Sequence, residues 1–104
     1  MGEFRMSEQR AHLIKAGKYI ANLRKKVDGL TQREMAKQLG IEYFTFISQV
    51  ENGFARVPRA ALADWARVLK VPQFTFAEEL LKHYEPEIYS ALNDIGIFTR
   101  KDAE

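Results

Sequence analysis

The chain has 104 residues, 46% of them hydrophobic, which is enough for one core but not for two independent ones. It has no cysteine, which excludes a disulfide framework and a thiolate metal site; no apolar run reaches the ~18 residues of a membrane span, and no signal-peptide pattern opens it. The net charge of +2 is unevenly divided: residues 1–60 hold 11 Lys and Arg against 6 Asp and Glu, whereas residues 61–104 hold 5 against 8. A basic half of this kind suits a polyanionic partner, although charge runs are more often simply solvated faces. Few prolines, no glycine-rich tract and no strand-period alternation predict an all-α fold.

Residues 1–6 are expected to be a disordered N-terminus or a vector-derived scar, because a common restriction site encodes Glu3-Phe4. A first helix is predicted from about Glu8 to Lys26, with Ser7 as its N-cap and Leu13, Ile14, Ile20, Leu23 and Val27 facing inward. Gly17 lies in its middle at a cost of ~1 kcal/mol relative to Ala, the mark of a close helix crossing or a kink.

A second helix is predicted over Gln32 to Leu39. Thr31 and Glu34 have the spacing of a capping box, and Leu30, Met35, Ala36 and Leu39 form one apolar stripe. Gly40 falls where the stripe ends, a position that often needs positive φ. A third helix is predicted from about Tyr43 to Asn52, with Phe46, Ile47 and Val50 inward and Gly53 as its stop. Helix, glycine turn, helix is also the pattern of an ordinary αα-corner. The residues off the apolar face of the third helix are Tyr43, Phe44, Thr45, Ser48 and Gln49, where a solvated helix normally carries Lys and Glu. Neutral hydrogen-bonders and aromatics suit base edges and thymine methyls.

A fourth helix is predicted from Pro58 to about Leu69, with Leu62, Trp65, Ala66 and Leu69 as its core face and Phe54 plugging the core ahead of it. Thr75 and Glu78 predict a second capping box and a fifth helix running to Tyr84. Pro86 opens a short sixth helix to about Asn93, and Gly96 ends it. Residues 99–104 form a polar tail.

The segments L-T-Q-R-E-M-A-K-Q-L-G-I, at Leu30 to Ile41, and I-S-Q-V-E-N-G, at Ile47 to Gly53, closely resemble the helix-turn-helix of the Cro and lambda-repressor (XRE) family of transcriptional regulators. With the flanking helices the resemblance covers roughly residues 18–72. It implies a compact lambda-repressor-like domain of five to six helices, with a helix-turn-helix at about residues 31–52 inside a DNA-binding unit of residues 7–72. Two departures stand out. From Gly40 to Glu51 there is one residue more than the family spacing, so Glu42, Tyr43 and Phe44 compete to open the recognition helix. The connector Val27-Asp28-Gly29 is also one residue longer than in the family.

By that resemblance Phe44, Thr45 and Gln49, with Tyr43 and Ser48 beside them, take the base-reading positions. Phe44 stands equally between groove contact and packing. Gln32, Lys37, Asn52, Arg56 and Arg59 take phosphate-contact positions, and Arg24 pairs with Glu51 as a structural strut. The implied function is sequence-specific binding of double-stranded DNA by a transcriptional regulator, a repressor acting as a homodimer on a palindromic operator, in the cytoplasm or on the nucleoid. Residues 73–98 are read as a C-terminal helical extension that completes the core, forms the dimer, or both. Ile88, Tyr89, Leu92, Ile97 and Phe98 are the candidate interface. The rival readings are the antitoxin of a toxin–antitoxin pair, its toxin bound through that extension, and a protein-interaction module that has lost DNA binding. No nucleotide-binding glycine motif is present, and His12 and His83 are isolated from each other in sequence, so neither an enzyme, a cofactor nor a metal is expected.

Overall fold

A computed structural model of the chain describes residues 2–98, with side chains from Glu8 onward. The expected polar tail lies outside the described residues. Among the described residues six α-helices follow one another: α1 (Gly2–Lys26), α2 (Gln32–Leu39), α3 (Thr45–Glu51), α4 (Leu62–Val68), α5 (Gln73–Tyr84) and α6 (Pro86–Asp94), with one 3₁₀ turn at Arg59–Ala61. The described residues contain no strand, and no helix among them is long and apolar enough to cross a membrane. α1 packs on α3 and α5, α2 on α3 and α4, and α5 on α4 and α6. Together they enclose a single core in which Ile20, Met35, Ile47, Trp65 and Phe76 are sealed from solvent.

The termini of α2 follow from its sequence. Thr31 is extended, and its hydroxyl accepts the N–H of Glu34 at 3.0 Å. The capping box is only half made, because the Glu34 carboxylate accepts from Gln38 Nε2 at 3.2 Å instead of reaching back. Gly40 stands at φ +71°, and Ile41 donates its N–H to the Ala36 carbonyl at 2.9 Å. α4 ends in the same way without a glycine: Lys70 sits at φ +58°, and Val71 donates to Ala66 at 3.0 Å.

Four element boundaries depart from expectation. α1 begins at Gly2, so Ser7 is an interior helical residue rather than an N-cap, and residues 2–6 are helical rather than disordered; no proline or glycine interrupts residues 3–16. α3 begins at Thr45, two residues later than predicted, so the extra residue of the spacing lies in the turn. Pro58 is extended, and its carbonyl accepts from Ala61 at 2.9 Å to close a 3₁₀ turn, which delays α4 to Leu62. α5 begins at Gln73, and Phe76 donates to the Pro72 carbonyl at 2.9 Å; Thr75 is therefore inside the helix and caps nothing.

Aromatic rings close the core. Phe46 meets Trp65 edge to face at 6.3 Å, and Tyr19 stacks on Phe76 at 6.1 Å. Phe98, expected on a dimer surface, is instead 9% exposed. It stacks on Tyr89 at 4.9 Å and tilts against Phe74 at 6.1 Å. Burying these rings within one chain avoids the entropic cost of association, which is why Phe98 and the Tyr89 ring are taken up by the monomer.

Candidate nucleic-acid interface

Glu51 closes α3 at the negative end of its dipole, where a buried carboxylate needs compensation. Its partners come from two other helices. Arg24, on α1, donates Nε to Oε2 at 2.6 Å and Nη2 to Oε1 at 3.1 Å, a bidentate fork. Gln32, the first residue of α2, donates Nε2 to Oε1 at 2.9 Å. The remaining arm of Arg24 donates to the Leu30 carbonyl at 3.1 Å. The side chains of Arg24 and Glu51 are 13% and 6% exposed, so the pair is largely dry and hydrogen-bonded throughout. The predicted strut is thus formed, and Gln32 belongs to it.

α1 approaches the end of α3 very closely. A Cβ placed on Gly17 would stand 2.6 Å from the Glu51 carbonyl carbon and 2.7 Å from the Val50 oxygen. Gly53, at φ +80°, brings the next loop close to α1 as well: its own Cβ would stand 2.9 Å from the Cα and N of Ile14. Both contacts are backbone-level and admit only glycine.

The outer face of α3 carries the residues singled out for base contact. Thr45 and Gln49 are exposed, and Tyr43, in the turn, is 68% exposed. Ser48 is half-buried, its hydroxyl accepting from Asn52 Nδ2 at 3.2 Å. Phe44 is half-buried against the core, with the Arg33 guanidinium 4.1 Å above its ring. Phe44 is thus packed against the core, and its ring carries a cation.

The phosphate candidates are more scattered. Lys37 and Asn52 are exposed, on α2 and just after α3. Arg59 is exposed on the 3₁₀ turn. Arg56 is drawn to the C-terminal end of α5, where it pairs with Glu85 at 3.0 Å and donates to the Tyr84 carbonyl at 3.4 Å. Of the interface candidates on the extension, Ile88 is 52% and Ile97 37% exposed, and Leu92 is half-buried.

Two residues that the sequence does not mark for this surface lie beside it. Phe54, predicted to plug the core, is 66% exposed and lies under the Arg10 guanidinium at 3.6 Å, while Arg10 Nη2 caps the Asn52 carbonyl at 3.2 Å. The pairing spans 44 positions and leaves no local signal. Arg33, whose guanidinium lies over the Phe44 ring, is the second. No protein-family model, curated protein or solved structure matches the chain, so its own residues carry the reading of function.

Proposed function

We propose that the chain is a sequence-specific binder of double-stranded DNA and a transcriptional regulator of the Cro and lambda-repressor type. The observation that carries this reading is the Glu51 cluster. Arg24 and Gln32 hold the base of α3 against α1 and α2, and the opposite face offers Thr45 and Gln49 free to solvent. A short helix fixed from behind, with neutral hydrogen-bonders in front, matches what a major-groove reader needs. Lys37, Asn52 and Arg59 are exposed, and the Arg33 guanidinium lies over Phe44; all are groups suited to phosphate. Such regulators work as repressors in dimers on palindromes, and Leu92, Ile95 and Ile97 on the C-terminal extension supply apolar surface for a second copy. Ile95, at 75% exposure, is the most exposed large apolar residue described. The same surface supports a second reading, an antitoxin that holds its toxin there.

Fluorescence anisotropy on the DNA upstream of its own gene, with scrambled DNA as competitor, at two salt concentrations, tests the proposal. Binding that survives the competitor and weakens with salt, by about one unit of logarithmic slope per phosphate contacted, is the expected result. Weak binding, equal on both DNAs, would overturn it in favour of a protein partner.

A further inference from the structure

A groove of about 820 Å³ runs between the segment 56–62 and the facing residues of α5 and α6. That volume lies within the range of small-molecule sites, ~300–1,000 Å³. Val57 and Leu80, 5% and 3% exposed, lie at its base. Leu62, Ala77 and Leu81 line it further, and Ile88 stands 52% exposed beside them. An isoleucine so placed adds apolar surface that none of the described residues covers.

Four polar side chains also border the groove, and three of them satisfy one another. Arg56 pairs with Glu85 at 3.0 Å and lies 5.1 Å from the centre of the Tyr84 ring. Tyr84 accepts the Val57 N–H on its hydroxyl at 3.2 Å. The fourth, Arg59, is exposed and enters no ion pair among the described residues. The charge left over at the groove is therefore one cation, next to a carbon-lined trough.

We infer that this groove binds a small amphiphile with an acyl-type tail and an anionic head, the tail along Val57, Leu62, Leu80, Leu81 and Ile88 and the head on Arg59. A neutral head would forgo the charge-assisted hydrogen bond that a guanidinium offers a carboxylate, and a cationic head would meet repulsion. Of the charged groups that line the groove, Arg59 alone enters no ion pair among the described residues, and only an anionic head makes use of it.

The test is isothermal titration of the full chain with decanoate, below its micelle-forming concentration, beside decanol and decyltrimethylammonium. One decanoate per chain is expected, with decanol weaker and the cation weakest. Arg59→Gln, at an exposed site, should weaken decanoate about tenfold while leaving decanol unchanged, and Ile88→Glu should abolish both; thermal melts of each variant confirm the fold. Absence of saturable binding, equal affinity for all three amphiphiles, or indifference to both substitutions would overturn the proposal. So would sedimentation showing a dimer that Ile88→Glu dissociates, because the groove would then be filled by a second copy. No DNA enters the experiment, so its outcome is independent of the DNA-binding reading.

Discussion

Gly17 and Glu51 meet backbone to backbone, with no room between α1 and the end of α3 for even a methyl group. In an isolated helix Gly17→Ala would be favourable by ~1 kcal/mol. In this fold it drives a Cβ into backbone atoms that no rotamer can move aside. The substitution is expected to destabilise by about 1–3 kcal/mol, read as a lower urea midpoint at unchanged slope. A stabilised variant would mean that the two helices are not so close.

The Glu51 cluster ranks its members. Glu51→Ala leaves the Arg24 guanidinium dry and unpaired, so a loss of about 3–5 kcal/mol is expected. Gln32→Ala removes one neutral donor and leaves the fork intact, so about 1 kcal/mol is expected. Asp64→Ala, at an exposed pair 3.6 Å from Arg67, should change stability by less than ~0.5 kcal/mol. Urea denaturation of the three variants gives the order, and a reversed order would dissolve the idea of a three-helix junction.

Tyr19 supplies the pH prediction. Its hydroxyl is buried with no hydrogen-bond partner among the described residues. Burial, helped by the nearby Glu79 and Glu78, pushes its pKa up to about 12 from 10.0. Below pH 10 both folded and unfolded chains keep the phenol proton, and no dependence arises. Between pH 10 and about 12 the unfolded chain gives it up first, so the contribution to stability is lost as pH rises through that window. Tyr19→Phe should therefore raise stability at neutral pH by up to about 1 kcal/mol. It should also flatten the alkaline decline, as guanidinium melts of both proteins from pH 8 to 12 would show.

Lys70 occupies the left-handed position that Gly40 fills after α2. An L-residue there pays steric strain of ~1–2 kcal/mol, partly offset by the smaller entropy it loses on folding. Lys70→Gly should thus stabilise the protein by about 0.5–1 kcal/mol. Thermal melting is sufficient to see it, and a drop in midpoint would mean that the lysine side chain contributes more than its backbone costs.

On the DNA-binding proposal, Gln49→Ala should cost ~1–3 kcal/mol on the cognate site and relax preference at one base pair. Selection from a randomised DNA pool measures both. Unchanged affinity and preference would mean that α3 presents a different set of residues to its target.

How far the fold could be read depended on how local each cause was. α2 occurs over the predicted residues because its cap, its stripe and its glycine are all within ten positions. Trp65 is 1% exposed, as its spacing on α4 demanded. The start of α3 was not legible in that way, because Tyr43 and Phe44 continue a helical pattern that the turn overrides. Thr75 and Glu78 have a cap's spacing, yet Pro72 had already turned the chain into α5. Phe54 was placed in the core because large rings usually go there, and only contact with Arg10 on another helix shows why it stays out. The Arg24–Glu51 pair was legible through motif resemblance alone, since 27 positions separate the two residues.

The seven-residue length of α3 has a mechanical consequence. Fewer than two full turns of helix cannot keep a direction by themselves. Its aim is set at one end, by a single carboxylate held from two neighbours. A side chain on α1 thus acts as the gunsight of a surface it never touches. Arg24→Lys, which keeps the charge but loses the fork, would leave the face of α3 chemically unaltered and still tilt it.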